Sequence, residues 1–475
     1  MTQQKESENR HSKTELRDWL ISHDCDNFFL LKEQCDIGKN LLQLDAAQGW
    51  LSQGLPSLSF SGHDQFVDYV FWFPNGIPNG NSIHLASSRI GRQPEQKPQI
   101  FEALRTLATR ISGDQRFLIS HGGTTLHDYI NRLSFLFDIP IVNFERFPSR
   151  VDSDWFIRTL NSTAQHVCYY QSLHDDEQTA DELLMQSTTE ARVLSARLKG
   201  NISKQTLKRL SRDVEDTKSD SSTQAKTFVL VDSKITSKQV QMEFRNAGAI
   251  EWWLYKDDTP ENSKTESHQS IYSLSELHQQ VSIDEYMIHW TRQRSGPWPN
   301  QTQDQFVDDL LLGLDSQDHS RIATLSRIVA SRHLHADSQL CRDKTPVVCF
   351  ADVAVDEVLQ RRVFRSHVGR WDFEPCGIAI RKSVLKKLGA KPVIYGDDDT
   401  WASLAEEHRP FFQLAVSRSG KNEIDWTQER EHRIRGNVSL QQIASNDAFL
   451  FVESRQEAEK VAPLSRWPVV QLTNK

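Results

Sequence analysis

"RFLISHGGTTLHDYINRLSFLFDIPIV", residues 116–142, reads as strand, Gly-Gly turn, helix, strand. A short apolar run ends at Ser120, a helical stretch covers 124–137, and a second apolar run follows at 139–144. Near-continuous apolar strands joined by helices belong to a mostly parallel sheet covered on both faces. This one unit sets the fold class, and the chain around it repeats the pattern.

Outward from it, "YVFWF" (69–73), "SIHLAS" (82–87), "HVCYY" (166–170), "FVLVD" (228–232) and "IEWWLY" (250–255) read as further strands. Helical stretches at 98–111 and 238–247 lie between them, and 184–216 reads as one longer helical segment. The loop-like compositions of 214–226 and 256–270 mark exposed connections, the second a domain boundary. After it, "PVVCF", "CGIAI", "KPVIY", "FFQLAV", "AFLFV" and "WPVVQL" are strands without steady βαβ alternation. The expected fold class is α/β: a Rossmann-like domain over 61–262, then a smaller mixed α+β domain over 280–475. Residues 1–60 are expected to be a disordered tail and a small helical cap.

With 475 residues the chain is too long for one ordinary core, which agrees with that division. A net charge of −8 opposes non-specific binding of nucleic acid by the chain as a whole. The six cysteines (25, 35, 168, 341, 349, 376) show no CxxC spacing, so the expectation is reduced thiols in the cytoplasm. The charged start "MTQQKESENRHSK" has no apolar signal region, and no run of about 18 apolar residues suggests a membrane span.

The Gly-Gly turn is the first candidate site. Gly122 and Gly123 let a ligand approach the backbone, while His121, Thr124 and Thr125 border the turn. "HLASSRIGR" ends another strand with Ser87, Ser88, Arg89 and Arg92 ahead of a helix. Two such strand ends side by side make a phosphate pocket at the carboxyl edge of a parallel sheet. A plain tight corner is the competing reading. GxGxxG and GK[ST] are both absent, and without GxSxG the "HGG" run is not an esterase oxyanion loop.

The second candidate site gathers "YMIHWTRQRSGPWPNQ" (286–301), "PVVCFADV", "RWDFEPCGIAI" and "DWTQEREHRI". If the last is extended, Glu429, Glu431 and Arg433 share one face and either meet solvent or line a site. His333, His335 and Cys341 lack a further ligand at standard spacing, so no metal is expected.

The segment 82–145 resembles SLOG-type nucleotide-sensing Rossmann-like domains, which pair a strand-end Ser-Arg with a later Gly-Gly turn. That resemblance implies a nucleotide ligand at Ser87, Ser88, Arg89, His121, Gly122, Gly123, Thr124 and Thr125. The order of motifs from "HWT" to "DWTQEREHRI", about 285–472, resembles bacterial abortive-infection proteins with an ADP-ribosyltransferase-like fold. That resemblance implies a cleft for NAD as substrate, with Glu431, or else Glu429, as catalytic carboxylate and His289 in the catalytic set, hydrogen-bonding the ribose or the amide of NAD. It also implies cofactor contacts from Trp290, Thr291, Arg292, Arg294, Phe350, Arg370, Trp371 and Arg433. His432 and Cys376 depart from the aromatic residues usual at their positions.

The implied function is cleavage of the nicotinamide–ribose bond in phage defence, with ADP-ribose passed to a protein, a nucleic acid or water (ADP-ribosyl transfer or NAD hydrolysis), and with self-association as a further expectation. The alternative is a non-catalytic ligand-binding or antitoxin-like protein. Glu431 discriminates between them: a carboxylate paired with arginine and covered speaks for the alternative.

Overall fold

The structure is a computed structural model. It describes residues 28–31, 69–72, 78–91, 93–146, 166–172, 179–216, 226–254, 271–280, 282–338, 341–361, 364–365, 370–371, 373–419 and 422–472. Two compact units emerge, residues 1–258 with 302–317 and residues 259–301 with 318–475. The boundary falls inside the loop expected at 256–270.

Unit 1 is built on a nine-stranded sheet. Its strands are β1 (Phe28–Leu31), β2 (Tyr69–Trp72), β3 (Asn81–Ser87), β4 (Arg116–His121), β5 (Ile141–Arg146), β6 (His166–Ser172), β7 (Glu190–Ser195), β8 (Lys226–Leu230) and β9 (Ile250–Trp252). Their order across the sheet is β1-β2-β6-β5-β4-β3-β7-β8-β9. From β6 to β9 every pairing is parallel, whereas β1 and β2 join antiparallel. The crossovers include α1 (Pro98–Ile111), α2 (His127–Phe137), α3 (Ala180–Gln186), α4 (Asn201–Asp216) and α5 (Lys238–Asn246). One face of the sheet buries Ile83, Leu85 and Leu118 against α1 and α2, and the other buries Ala86, Val193 and Val229 against Met185, Val240 and Phe244. This is the expected Rossmann-like layer.

Three expectations need correction. The described part of the supposed helical cap, Phe28–Leu31, is strand; the rest of 1–60 lies outside the described residues. Residues 184–216 are not one helix, because β7 interrupts them in the middle of the sheet. Arg192 hides that strand in the sequence. It is 8% exposed, ion-paired with Glu190, and its guanidinium lies over the rings of Phe228 at 4.4 Å and Trp252 at 4.7 Å. Third, the Gln303–Leu312 helix belongs to unit 1. A capping box of Thr302 and Gln305 starts it and left-handed Gly313 ends it. Phe306, Leu310 and Leu311 bury in the α1–α2 cluster, worth about 2 kcal/mol each, and Asp308 takes two hydrogen bonds from Arg132 at 2.5 and 2.6 Å.

Unit 2 has a mixed eight-stranded sheet. Its strands are β10 (Ile271–Ser273), β11 (Tyr286–Trp290), β12 (Val347–Ala351), β13 (Cys376–Arg381), β14 (Lys391–Pro392), β15 (Glu431–Arg435), β16 (Ala448–Val452) and β17 (Val469–Gln471). The order is β10-β17-β16-β13-β11-β12-β15-β14, parallel only around β17. Met287, Phe350, Ile378 and Leu450 pack on one face against α6 (Arg321–Ser331) and α7 (Arg455–Val461). Ile288, Ala379, Phe449 and Val470 occupy the other. Among the described residues, no helix is long and apolar enough to cross a membrane.

Candidate functional site

In unit 1 the parallel strands all end at one edge. From β3 the chain works outward through β4, β5 and β6 on one side and β7, β8 and β9 on the other. The strand order therefore diverges between β3 and β7, and the crevice outside such a divergence is where open parallel sheets take ligands. Ser87 and Ser195 are register partners there, and the Ser88 amide donates to the Ser195 carbonyl at 2.8 Å. Both serines are buried, Ser88 is half-buried and Arg89 is exposed. Lys97 Nζ donates to the Arg89 carbonyl at 3.3 Å.

The Gly-Gly turn lies at the end of β4, next to β3, so the structure does bring the two predicted strand ends together. Its amides, however, turn inward. The Gly123 amide donates to His121 Nδ1 at 2.7 Å, and the Thr124 amide and hydroxyl both donate to the His121 carbonyl at 2.9 and 2.8 Å. With Nδ1 accepting, His121 carries its proton on Nε2 and donates it to the Tyr170 hydroxyl at 2.7 Å. Burial, then the charge of Arg146 and the neighbouring His127, lowers the His121 pKa to about 4. Neither glycine has a left-handed φ. A methyl on Gly123 would press on the His121 ring and Ala180 at 3.2 Å, so this glycine makes room for the imidazole. Gly122 and Thr125 remain exposed, and Arg92 lies outside the described residues.

Beneath the turn, the Ser120 hydroxyl meets His127 Nδ1 at 3.0 Å, and Asn143 Nδ2 donates to Asn131 Oδ1 at 2.7 Å. Ser120 is fully buried, so the pair is a core hydrogen bond and not an exposed nucleophile.

In unit 2 the structure does not bring Glu431 and His289 onto one face of the sheet. Ile288 pairs with Ala351, and Ala351 with Glu431. Directly opposed residues of antiparallel strands project to the same face, and their chain neighbours to the other. Glu431 therefore shares a face with Ile288, and His289 projects from the opposite one. There His289 Nδ1 donates to the Cys349 carbonyl at 3.0 Å, and its ring packs on Phe350 with centroids 5.8 Å apart. Burial, assisted by Arg292, holds its pKa below the usual histidine value.

Glu431 is itself engaged. Arg433 Nε donates to Oε1 at 2.8 Å and a terminal nitrogen donates to Oε2 at 3.1 Å. The guanidinium also donates to the carbonyls of Pro410 and Phe412 and to Gln413 Oε1. Burial works against the Arg433 charge, but Glu431 outweighs it and raises the pKa. Cys349, the register partner of Arg433, has its thiol pushed well above the ordinary range by burial and by Glu431. Glu429 does not share the strand: it ends a 3-10 turn, Thr427–Glu429, and left-handed Arg430 separates it from β15.

The remaining predicted contacts are mostly packed. Phe350 and Thr291 are buried, and Trp290 meets Phe373 and Phe451 edge-on at 5.4 and 5.2 Å. Arg294 Nε donates to the Pro297 carbonyl at 2.7 Å, and Arg292 is half-buried. Arg370 and Trp371 form a two-residue strand against Phe364 and Arg365. Trp298 is 6% exposed, stacked on His319 at 4.2 Å with Arg327 over its ring at 4.2 Å. No group of three metal-ligating side chains occurs among the described residues.

Sequence reading missed Ser195, Arg197, Lys97 and Tyr170. The signal for the first two is a repeated spacing: Ser87-Ser88-Arg89 ends β3, and Ser195-Ala196-Arg197 follows the same Ser-x-Arg pattern at the end of β7.

No family model matches the sequence, and no curated protein matches it. Among solved structures, the chain is similar to DNA processing protein A from Helicobacter pylori, whose structure concerns its single-stranded DNA binding mode. Identity is 10%, the match covers 47% of this chain and 90% of that one, and the TM-score is 0.27. At that score the likeness adds nothing to the fold, which rests on the strand order above.

Proposed function

We propose that the protein is a ligand-binding protein in which unit 1 holds a nucleotide-type ligand at the carboxyl edge of its parallel sheet and unit 2 is a non-catalytic module. The observation that carries the second half is the pairing of Glu431 with Arg433 on the sheet face opposite His289. A carboxylate with both oxygens held by a buried guanidinium is poorly placed to stabilise an oxocarbenium-like ribose, and His289 projects from the other face of the sheet. The first half is supported by the divergence of strand order at β3 and β7 and by the polar strand ends gathered there.

The deciding experiment incubates the purified full chain with NAD and follows nicotinamide release by chromatography, beside calorimetric titration with nucleoside mono-, di- and triphosphates. The expected result is nucleotide binding without release. Nicotinamide release that disappears in Glu431→Gln would overturn this reading and favour NAD cleavage, the phage-defence activity implied by the resemblance of 285–472. Absence of both release and nucleotide binding would remove the ligand-binding reading as well.

A further inference from the structure

The edge of unit 1 offers two places for the charged part of a ligand, and they are not equivalent. At the Gly-Gly turn, the Gly123 and Thr124 amides already have acceptors within the turn, so two of its backbone donors are spent on His121. At the β3/β7 crevice the opposite holds. The register sets Ser87 beside Ser195, which places the two Ser-x-Arg segments side by side. Arg89 and Arg197 leave their strands in step, both exposed, and Lys97 is tied to the Arg89 backbone. Among the described residues no carboxylate forms an ion pair with Arg89, Lys97 or Arg197.

Burial first, and then the charge of Arg197, holds the Lys97 ammonium below the usual lysine range. Elsewhere in unit 1, Arg132, Arg192 and Arg245 each have an acidic partner: Asp308, Glu190 and Glu251. An array of three cations at a topological switch point, none of them ion-paired to a carboxylate among the described residues, is complementary to an anion that arrives from outside.

We propose that Arg89, Lys97 and Arg197, with the strand-end Ser87 and Ser195, form an anion subsite for the diphosphate of a nucleotide, and that the Gly-Gly turn lies outside this phosphate-binding set. This rests on the ligand-binding reading of unit 1 and goes further by assigning the charged group to the β3/β7 crevice. Planar guanidinium groups present paired donors to phosphate oxygens, and the lysine adds a point charge.

The test uses the full chain and calorimetric titration with ADP, UDP and inorganic pyrophosphate. Variants are Lys97→Met and Arg197→Met, with Lys226→Met at the opposite edge of the sheet as a control for the same loss of charge. All three positions are half-buried or exposed, and circular dichroism with thermal melts checks that each variant folds. The expected result is binding of a diphosphate by wild type and Lys226→Met, weakened at least tenfold in both crevice variants and weakened further by added salt. Wild-type affinity retained by both crevice variants would overturn the assignment of the subsite while leaving nucleotide binding intact. Loss on Gly122→Ala or Thr125→Ala instead would return the phosphate to the Gly-Gly turn. If no nucleotide or pyrophosphate binds the wild type, both the subsite and the ligand-binding reading fall.

Discussion

Glu431 and Arg433, two residues apart on one strand, clasp each other through two hydrogen bonds, with 12% and 1% of their side chains exposed. The arginine closes the arrangement by reaching the Pro410 and Phe412 carbonyls. Unit 2 thus uses its most functional-looking carboxylate as the counter-charge of a buried cation.

Glu431→Gln is therefore expected to act on stability. Removing one partner of a buried pair leaves the other uncompensated, a loss of about 3 kcal/mol. Urea unfolding followed by tryptophan fluorescence would register this as a lower midpoint. A midpoint equal to that of the wild type would mean that the carboxylate is not the required partner of Arg433.

Acid should weaken unit 1 through His84. The side chain has no exposure, and burial, with the charge of Arg209, lowers its pKa to about 3. The unfolded chain titrates near 6.5, so between these values it binds a proton that the folded state refuses. The stability is complete above about pH 6.5 and is lost as pH falls towards 3, at up to about 1.4 kcal/mol per unit. At pH 5 this amounts to about 2 kcal/mol from His84, and His121, also lowered, acts with the same sign. Urea midpoints at pH 7 and pH 5 should differ clearly in wild type and less in His84→Leu. Equal differences in both would show that another group controls the acid response.

The apolar strands of unit 1 were legible because each is a run that only a two-sided layer can bury; 82–87 and 116–120 fall where their composition places them, and 139–144 overlaps the strand Ile141–Arg146, which begins two residues later. β7 was not, because Arg192 breaks its apolar run and its compensating rings, Phe228 and Trp252, come from strands more than 30 residues later in the sequence. The same limit applies to the candidate sites. Strand-end serines and glycines can be read locally, and the spacing of Glu431 and Arg433 correctly puts them on one face. Whether His289 joins them depends on the registers of β11 with β12 and of β12 with β15, a non-local property that no motif order contains.

Leu310→Ala should loosen α1 and α2 although it is distant from them in sequence. Leu310 is 1% exposed and packs in a cluster with Leu104, Leu107, Ile130 and Leu133. A leucine-to-alanine change in such a place costs about 3 kcal/mol. Hydrogen exchange should show faster opening across 98–111 and 127–137, with β11 to β13 of unit 2 unchanged. Unaltered exchange in both helices would mean that the Gln303–Leu312 helix does not contribute to the core of unit 1.

Gly377→Ala tests the tight crossing behind the Trp290 strand. Gly377 is paired with Trp290 on one side and Phe451 on the other. A methyl placed there would meet the His289 carbonyl oxygen at 2.5 Å and Phe451 Cζ at 2.7 Å, so both a backbone and a ring must give way. Phe451 is fully buried, and its ring is held edge-on to Trp290 at 5.2 Å, which leaves little room for adjustment. Overpacking of this kind costs about 1–3 kcal/mol. The ring can be shortened but the carbonyl cannot be moved aside, so Phe451→Leu in the same chain should rescue only part of the loss. Urea midpoints of the two single variants and the double variant separate these terms, and the near-ultraviolet signal of the tryptophans reports whether the Trp290–Phe451 contact has shifted. Full rescue by Phe451→Leu would assign the clash to the ring alone and remove the close backbone approach as the reason for glycine at this position.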